Sequence, residues 1–243
     1  MSVPKPPINV LLAQPSNMWP RYDTKFEFIV LHYVGAVSTA KANAVYLNRE
    51  PNLGWSAHFF VDETSIWQSV DFNHAAGHCG VDYSGGKAPF WNGKGTYSTN
   101  RRSIGIEMCC KKDSKGNWFI EPETITRTVA LVKWLMQEFD IPIEHVIRHY
   151  DVCWKTCPEP WVRFPEQWQA FKKRLTEEEE EEMQRFKTVK ELPAHYQDSV
   201  EKLVEMGIIK GRAPDNLDIT EDMVRVAIWF GRMTGVLETK EEE

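Results

Sequence analysis

His32 closes the apolar run Phe28-Ile29-Val30-Leu31-His32, and a distant segment reads Arg148-His149-Tyr150-Asp151-Val152-Cys153-Trp154-Lys155-Thr156-Cys157-Pro158. Two imidazoles and a thiolate make a three-ligand set for zinc and leave the fourth tetrahedral position open, the mark of a catalytic rather than a structural site. Taken singly, His149 and Cys157 read as an ordinary core histidine and a core thiol. Joined to His32 at the end of a buried strand, they favour a metal site. One thiolate and two neutral imidazoles around Zn2+ leave a single positive charge, enough to draw the pKa of a bound water toward neutrality.

Glu107 is the candidate general base. It lies on the face of its segment opposite Ile104, Ile106 and Met108, with Gly105 and Cys109 leaving room around it. The competing reading is an edge-strand glutamate facing solvent. Lys155, two residues before Cys157, is placed to stabilise a developing oxyanion, against the commoner reading of a solvated loop lysine. His58, His78 and Trp91 are the candidate substrate-binding residues, with His58 weighed first as a supporting or packing residue. His74 shares the long loop with His78 and is expected to line the same groove, while His145 and His195 read as structural or surface residues.

These residues need a frame to hold them. Phe26 to Val34 is a near-continuous hydrophobic run, the pattern of a strand buried on both faces. Ser38-Thr39 offers a cap for a helix over Ala40 to Leu47. Ser56 to Val61 and Ser65 to Val70, split by Asp62-Glu63-Thr64, predict a hairpin. Asp71 to Thr99 is polar and glycine-rich, a long loop of the kind that is usually functional. Ser103 to Cys109 alternates as a strand, Thr124 to Phe139 carries Ile125, Val129, Val132, Leu135, Met136 and Phe139 at helical spacing, and Pro142 stops it. Val146-Ile147 begins a short strand, and Trp161 to Leu175 predicts one final helix. The expected architecture is α/β: a central mixed β-sheet flanked by helices, plus a small helical C-terminal module.

Charge divides the chain in the same place. Residues 1–176 carry a net charge of +3 and residues 177–243 a net charge of −9. Without a clustered basic patch, nucleic-acid binding is excluded as the main role. Nine of the ten tryptophans fall in the first part, which suits either a sugar-binding groove or ordinary core packing. The five cysteines show no framework spacing and read as reduced thiols, one of them a ligand. The N-terminus resembles neither a secretory signal nor a membrane span, so synthesis in the cytoplasm without membrane insertion is expected. Residues 177–186 form an acidic linker. Within residues 187–243, Ser199 to Met206 with Gly207 at its end, and Thr220 to Arg232 with Thr220 as cap, predict a helix–loop–helix module.

Four blocks, Phe28-Ile29-Val30-Leu31-His32-Tyr33, Ser56-Ala57-His58-Phe59-Phe60-Val61-Asp62, Ser103-Ile104-Gly105-Ile106-Glu107-Met108 and Arg148 to Pro158, resemble in order those of type-2 N-acetylmuramoyl-L-alanine amidases over residues 20–175. The resemblance implies zinc on His32, His149 and Cys157, with Glu107 and Lys155 as catalytic partners. The implied substrate is peptidoglycan, cut between N-acetylmuramic acid and L-alanine. Some relatives carry a tyrosine just before the hairpin histidine; Ala57 stands there, which shifts the weight to Glu107. Residues 198–211 resemble a single S-layer-homology-like repeat, as in clostridial-type endolysins, and imply either wall anchoring or homo-oligomerisation. The resemblance implies an endolysin that acts on the cell wall after holin-type release. The competing readings are a peptidoglycan-binding protein without catalysis, disfavoured by the presence of both Cys157 and Glu107, and a cytosolic muropeptide-recycling amidase.

Overall fold

The computed structural model describes residues 3–22, 25–80, 83–90, 96–177, 185–213 and 216–237. The chain divides into two compact units, residues 1–178 and 179–243. In the first unit the strands are β1 (Asn9–Val10), β2 (Met18–Pro20), β3 (Phe28–Val37), β4 (Phe59–Val61), β5 (Ile66–Gln68), β6 (His74–Ala76), β7 (Ser103–Lys112), β8 (Trp118–Phe119) and β9 (Val146–Arg148). Its helices are α1 (Ala40–Arg49), α2 (Thr96–Arg102), α3 (Pro122–Phe139), α4 (His149–Cys153), α5 (Glu159–Arg163) and α6 (Pro165–Thr176).

Seven strands form one mixed sheet in the order β1-β5-β4-β7-β3-β9, with β8 added to the far end of β7. β4, β7, β3 and β9 run parallel, and the β4–β5 hairpin is antiparallel. The parallel centre is covered on both faces, which explains why β3 and β7 are apolar almost throughout. Ile29, Leu31, Phe59, Ile104, Ile106 and Met108 pack on the side of α3 and α6. On the opposite side lie Phe60, Ala57 and Cys109 under α1, and Val30 with Cys79, Ile147 and Val152 near α4.

Local chemistry sets the helix boundaries. Thr39 caps α1 by accepting from Ala42 N at 3.2 Å. Pro122 opens α3, where its missing N–H costs nothing, and Asp140 ends it in the left-handed conformation. The single helix expected over Trp161 to Leu175 is two. Pro165 disfavours helical geometry at Phe164, so the chain breaks there and restarts as α6. Trp161, Trp168 and Phe171 then pack ring on ring beneath the sheet. The long loop is also shorter than expected: β6 pairs antiparallel with β2, and α2 begins at Thr96.

The second unit holds β10 (Arg185–Phe186), α7 (Ala194–Glu205), β11 (Ile219–Thr220) and α8 (Glu221–Met233). Phe186, Leu192, Val200, Leu203, Ile219, Val224, Ile228 and Leu237 form its own core. Gly207, at φ +68°, lets the chain turn so that Ile208 N donates back to Leu203 O. Thr220 caps α8 through Met223 N.

Candidate metal centre

Register places the site. His32 on β3 and Glu107 on β7 are directly paired across the sheet, on the face that does not carry Ile104, Ile106 and Met108. Because β7 is central, flanked by β4 and β3, Glu107 is not an edge residue open to solvent. On the other side of β3, β9 pairs Arg148 with Leu31, so the next residue, His149, opens α4 beside His32. The two rings meet at 4.5 Å between centroids. After α4, Trp154 turns the chain through a left-handed conformation, and Tyr150 N donates to Cys157 O at 2.9 Å, bringing Cys157 back to the histidines.

The donor atoms of His32, His149 and Cys157 all lie within 4.8 Å of one another. Cys157 Sγ is 3.8 Å from His32 Nδ1. Tetrahedral zinc, with Zn–S of about 2.3 Å and Zn–N of about 2.0–2.1 Å, sets such a pair roughly 3.5–3.6 Å apart. All three residues are at most 2 % exposed. Both ring nitrogens of His149 and Oε2 of Glu107 are buried with no hydrogen-bond partner among the described residues. Orphaned polar atoms cost about 1–3 kcal/mol each, and a cation between them removes that cost. The residues fit the metal.

Electrostatics points the same way. Burial, reinforced by His149 and His78, holds His32 well below the ordinary imidazole range. Burial and then Lys155 hold His149 down to about 3. Both rings are therefore neutral, the form that ligates. Burial, with Glu107 next, pushes the Cys157 thiol up, and a divalent cation at that sulfur reverses the balance. Glu107 Oε1 lies 4.0 Å from His32 Nδ1, and burial raises its carboxyl to about 8 against the pull of Lys155. Lys155 itself is solvent-exposed on the loop before Cys157, with its charge acting on all four groups.

The other candidates sit elsewhere. His58 is fully buried; its Nδ1 accepts from Gly105 N at 3.1 Å and its Nε2 meets His74 O at 3.3 Å. With both nitrogens used by backbone, it packs within the sheet. His78, expected to line the groove, points at the site instead: its Nδ1 is 2.9 Å from His32 Nε2. His74 is tied to Asp71 at 2.9 Å, and His145 to Glu27 O at 2.9 Å. Trp91 lies outside the described residues. A second cluster of potential ligands, His32, His78 and Cys79, shares His32 with the first. The sequence reading missed Arg148 and Asp151, which fix the start of α4. Arg148 N and Nε donate to Asp151 Oδ2, its second guanidine nitrogen reaches Oδ1 at 2.8 Å, and the third holds Trp161 O at 3.0 Å. Their i, i+3 spacing around His149 was the available signal.

Known proteins carry the same frame. A family model described as N-acetylmuramoyl-L-alanine amidase matches residues 22–160. N-acetylmuramoyl-L-alanine amidase BlyA of Bacillus subtilis (strain 168) is 29 % identical over 168 residues, 66 % of this chain and 45 % of BlyA. This chain spans about half or less of the length of the curated relatives it matches. The structure of PlyL superposes with a TM-score of 0.57 at 26 % identity, over 71 % of this chain and 98 % of PlyL. A mutant endolysin from Bacillus subtilis does so with a TM-score of 0.54 at 28 % identity, over 70 % of this chain and 98 % of that one. With more than half its length matched by the family model, and with a mixed sheet common to those structures, the chain belongs to the N-acetylmuramoyl-L-alanine amidase family.

Proposed function

We propose that this chain is a peptidoglycan hydrolase of the endolysin type, cleaving the amide between the lactyl group of N-acetylmuramic acid and L-alanine. The observation that carries the reading is the pairing of His32 with Glu107 beside His149 and Cys157, all on one face of the sheet. His32, His149 and Cys157 would hold zinc, which supplies Lewis acidity at the scissile carbonyl and an acidified water. Glu107, a carboxylate with raised proton affinity, takes the proton of the attacking water as its oxygen bonds to the carbonyl carbon. It returns that proton to the L-alanine nitrogen as the C–N bond breaks, leaving a free amine and a carboxylic acid whose remaining proton ionises to solvent. Lys155 sets its ammonium against the oxyanion that develops between these events.

The test is chemical identification of the new ends. Purified cell walls incubated with the protein should release new L-alanine amino termini, with loss on chelation and recovery on adding Zn2+. New reducing sugars in their place would make it a glycosidase, and binding without new ends would make it a wall-binding protein. Release from intact walls in preference to soluble muropeptides separates the endolysin role from recycling.

The clostridial-type arrangement, a catalytic domain followed by one S-layer-homology-like module over residues 187–243, belongs to the same proposal. For that module the favoured role is pairing with a second copy of the chain. Met223, Val226, Phe230 and Met233 recur at three- and four-residue spacing along α8, and each is at least half exposed.

A further inference from the structure

His32 uses one ring nitrogen toward Cys157 and Glu107, and what holds the other decides whether that first nitrogen is bare. The other nitrogen, Nε2, lies 2.9 Å from Nδ1 of His78 in a buried, edge-on pair of rings. His78 Nε2 in turn lies 3.2 Å from Ser103 Oγ, and Ser103 Oγ lies 2.7 Å from Thr99 O. Protons can be assigned along this chain from its far end. A carbonyl only accepts, so the single hydroxyl proton of Ser103 goes to Thr99 O. Ser103 Oγ is left to accept, so His78 carries its proton on Nε2. His78 Nδ1 is then bare and accepts from His32 Nε2–H. By exclusion, His32 Nδ1 is the lone-pair nitrogen, and it is the one facing Cys157 Sγ and Glu107 Oε1.

We propose that His78, oriented by Ser103, is a positioning residue that sets the tautomer of His32 and so presents Nδ1 as the metal-binding nitrogen. The inference rests on the zinc-amidase reading above and adds to it a residue that touches neither metal nor substrate. Three features show a built arrangement. Gly105 stands where any Cβ would come within 2.5 Å of the His78 ring, so the strand gives up a side chain to seat it. Asn100 Oδ1 accepts from both His78 N and Cys79 N, at 3.2 and 2.8 Å, fixing the backbone that carries the ring. Ser103 is fully buried, which keeps water out of competition for His78 Nε2. The same chain explains the second cluster of potential ligands. The His32–His78 separation is that of a hydrogen bond, so His78 orients a ligand and is not one.

The decisive measurement uses the unaltered whole chain freed of metal. Imidazole 15N shifts should show His32 and His78 each protonated on Nε2, and a proton on His32 Nδ1 would overturn the assignment. Binding of Zn2+ alone, measured by competition with a chromophoric chelator, then reads the consequence. His78→Leu should weaken zinc binding about 10–100-fold, the usual cost of losing such a support, and should release His32 to a mixture of tautomers. His78→Asn, whose amide oxygen can stand near the place of Nδ1, should recover most of that loss. Ser103→Ala provides a milder second variant, expected to mix the tautomers of both rings. A folded His78→Leu protein with unchanged zinc affinity and an unchanged His32 tautomer would sink the proposal. Because neither readout uses wall cleavage, failure of the amidase reading appears separately, as an unaltered protein that binds zinc and cuts nothing.

Discussion

At the level of single residues, the proposed mechanism gives holding the metal and using it to different side chains. Cys157 is the only thiol of the ligand set, and serine offers a harder and far less acidic oxygen in its place. Cys157→Ser should lose both bound zinc, read by elemental analysis, and release of L-alanine termini; a metal-free variant with full activity would falsify the ligand assignment. Glu107 is not among the three ligands. Glu107→Gln keeps the shape and removes the proton acceptor, so zinc content should stay at that of the unaltered protein while kcat falls about 10²–10⁴-fold. Lys155→Met should lower kcat by about 10²–10³-fold with little change in KM, because an oxyanion partner acts in the transition state rather than on bound substrate. The grouping of His32, His149 and Cys157 beside Glu107 was legible because strand alternation and short motif spacing encode it. The role of His78 was not. It was read as lining the substrate groove, yet it is bonded to a histidine 46 positions away, whereas the packing role weighed for His58 fits its bond to the β7 backbone. Contacts of that separation depend on how β3, β4 and β7 come together, which no local pattern states.

At the level of elements, the turn of the β4–β5 hairpin is joined to α1 by one carboxylate. Asp62 Oδ2 accepts from Ala40 N at 2.8 Å, in the first turn of α1, while Oδ1 accepts from the backbone and hydroxyl of Thr64 and of Ser65. Burial alone would raise its pKa, but these bonds and the positive end of the helix hold it below the ordinary value of 3.8. A depressed folded-state pKa means that Asp62 contributes stability above the unfolded value, near pH 4, and loses it as pH falls through the folded value. Asp62→Asn should therefore destabilise the first unit by about 1–3 kcal/mol at pH 7. The gap in Tm between the two proteins should narrow as pH drops below about 4, and a gap that is constant from pH 7 to pH 3 would contradict this account. The hairpin, α1 and the turn between the strands could all be read from β-rich runs and Thr39. The break at Pro165 was not: the expected helix over Trp161 to Leu175 ran through it, and Trp161 falls before that proline while Trp168 and Phe171 fall after it. In the structure those rings cluster across two helices, so one aromatic pattern served two elements.

For the whole molecule, the question is why a first unit with a complete core is followed by a second, small unit with a core of its own. α8 leaves Met223, Val226, Trp229, Phe230 and Met233 between 50 and 66 % exposed, and no folded unit of this size gains from wetting five such side chains on one helix. At roughly 150–250 Å² for each large side chain when fully exposed, the stripe offers on the order of 500 Å² per copy. Two copies facing each other would bury about 1,000 Å², the lower range of specific interfaces. The ends of the helix match an antiparallel pair: Glu221 and Asp222 lie in its first turn and Arg232 in its last, so each acidic end meets the basic end of the other copy. The spacing of Met223, Val226, Phe230 and Met233 places one seam along that contact, and a two-fold pair is closed and self-limiting. The whole chain should therefore sediment as a concentration-dependent dimer. Val226→Lys with Phe230→Lys, both exposed and outside the core, should shift it to monomer with unchanged thermal unfolding and unchanged hydrolysis of soluble muropeptide. A monomer at every concentration whose sedimentation with purified walls is lost in the same variant would assign the stripe to the wall polymer instead.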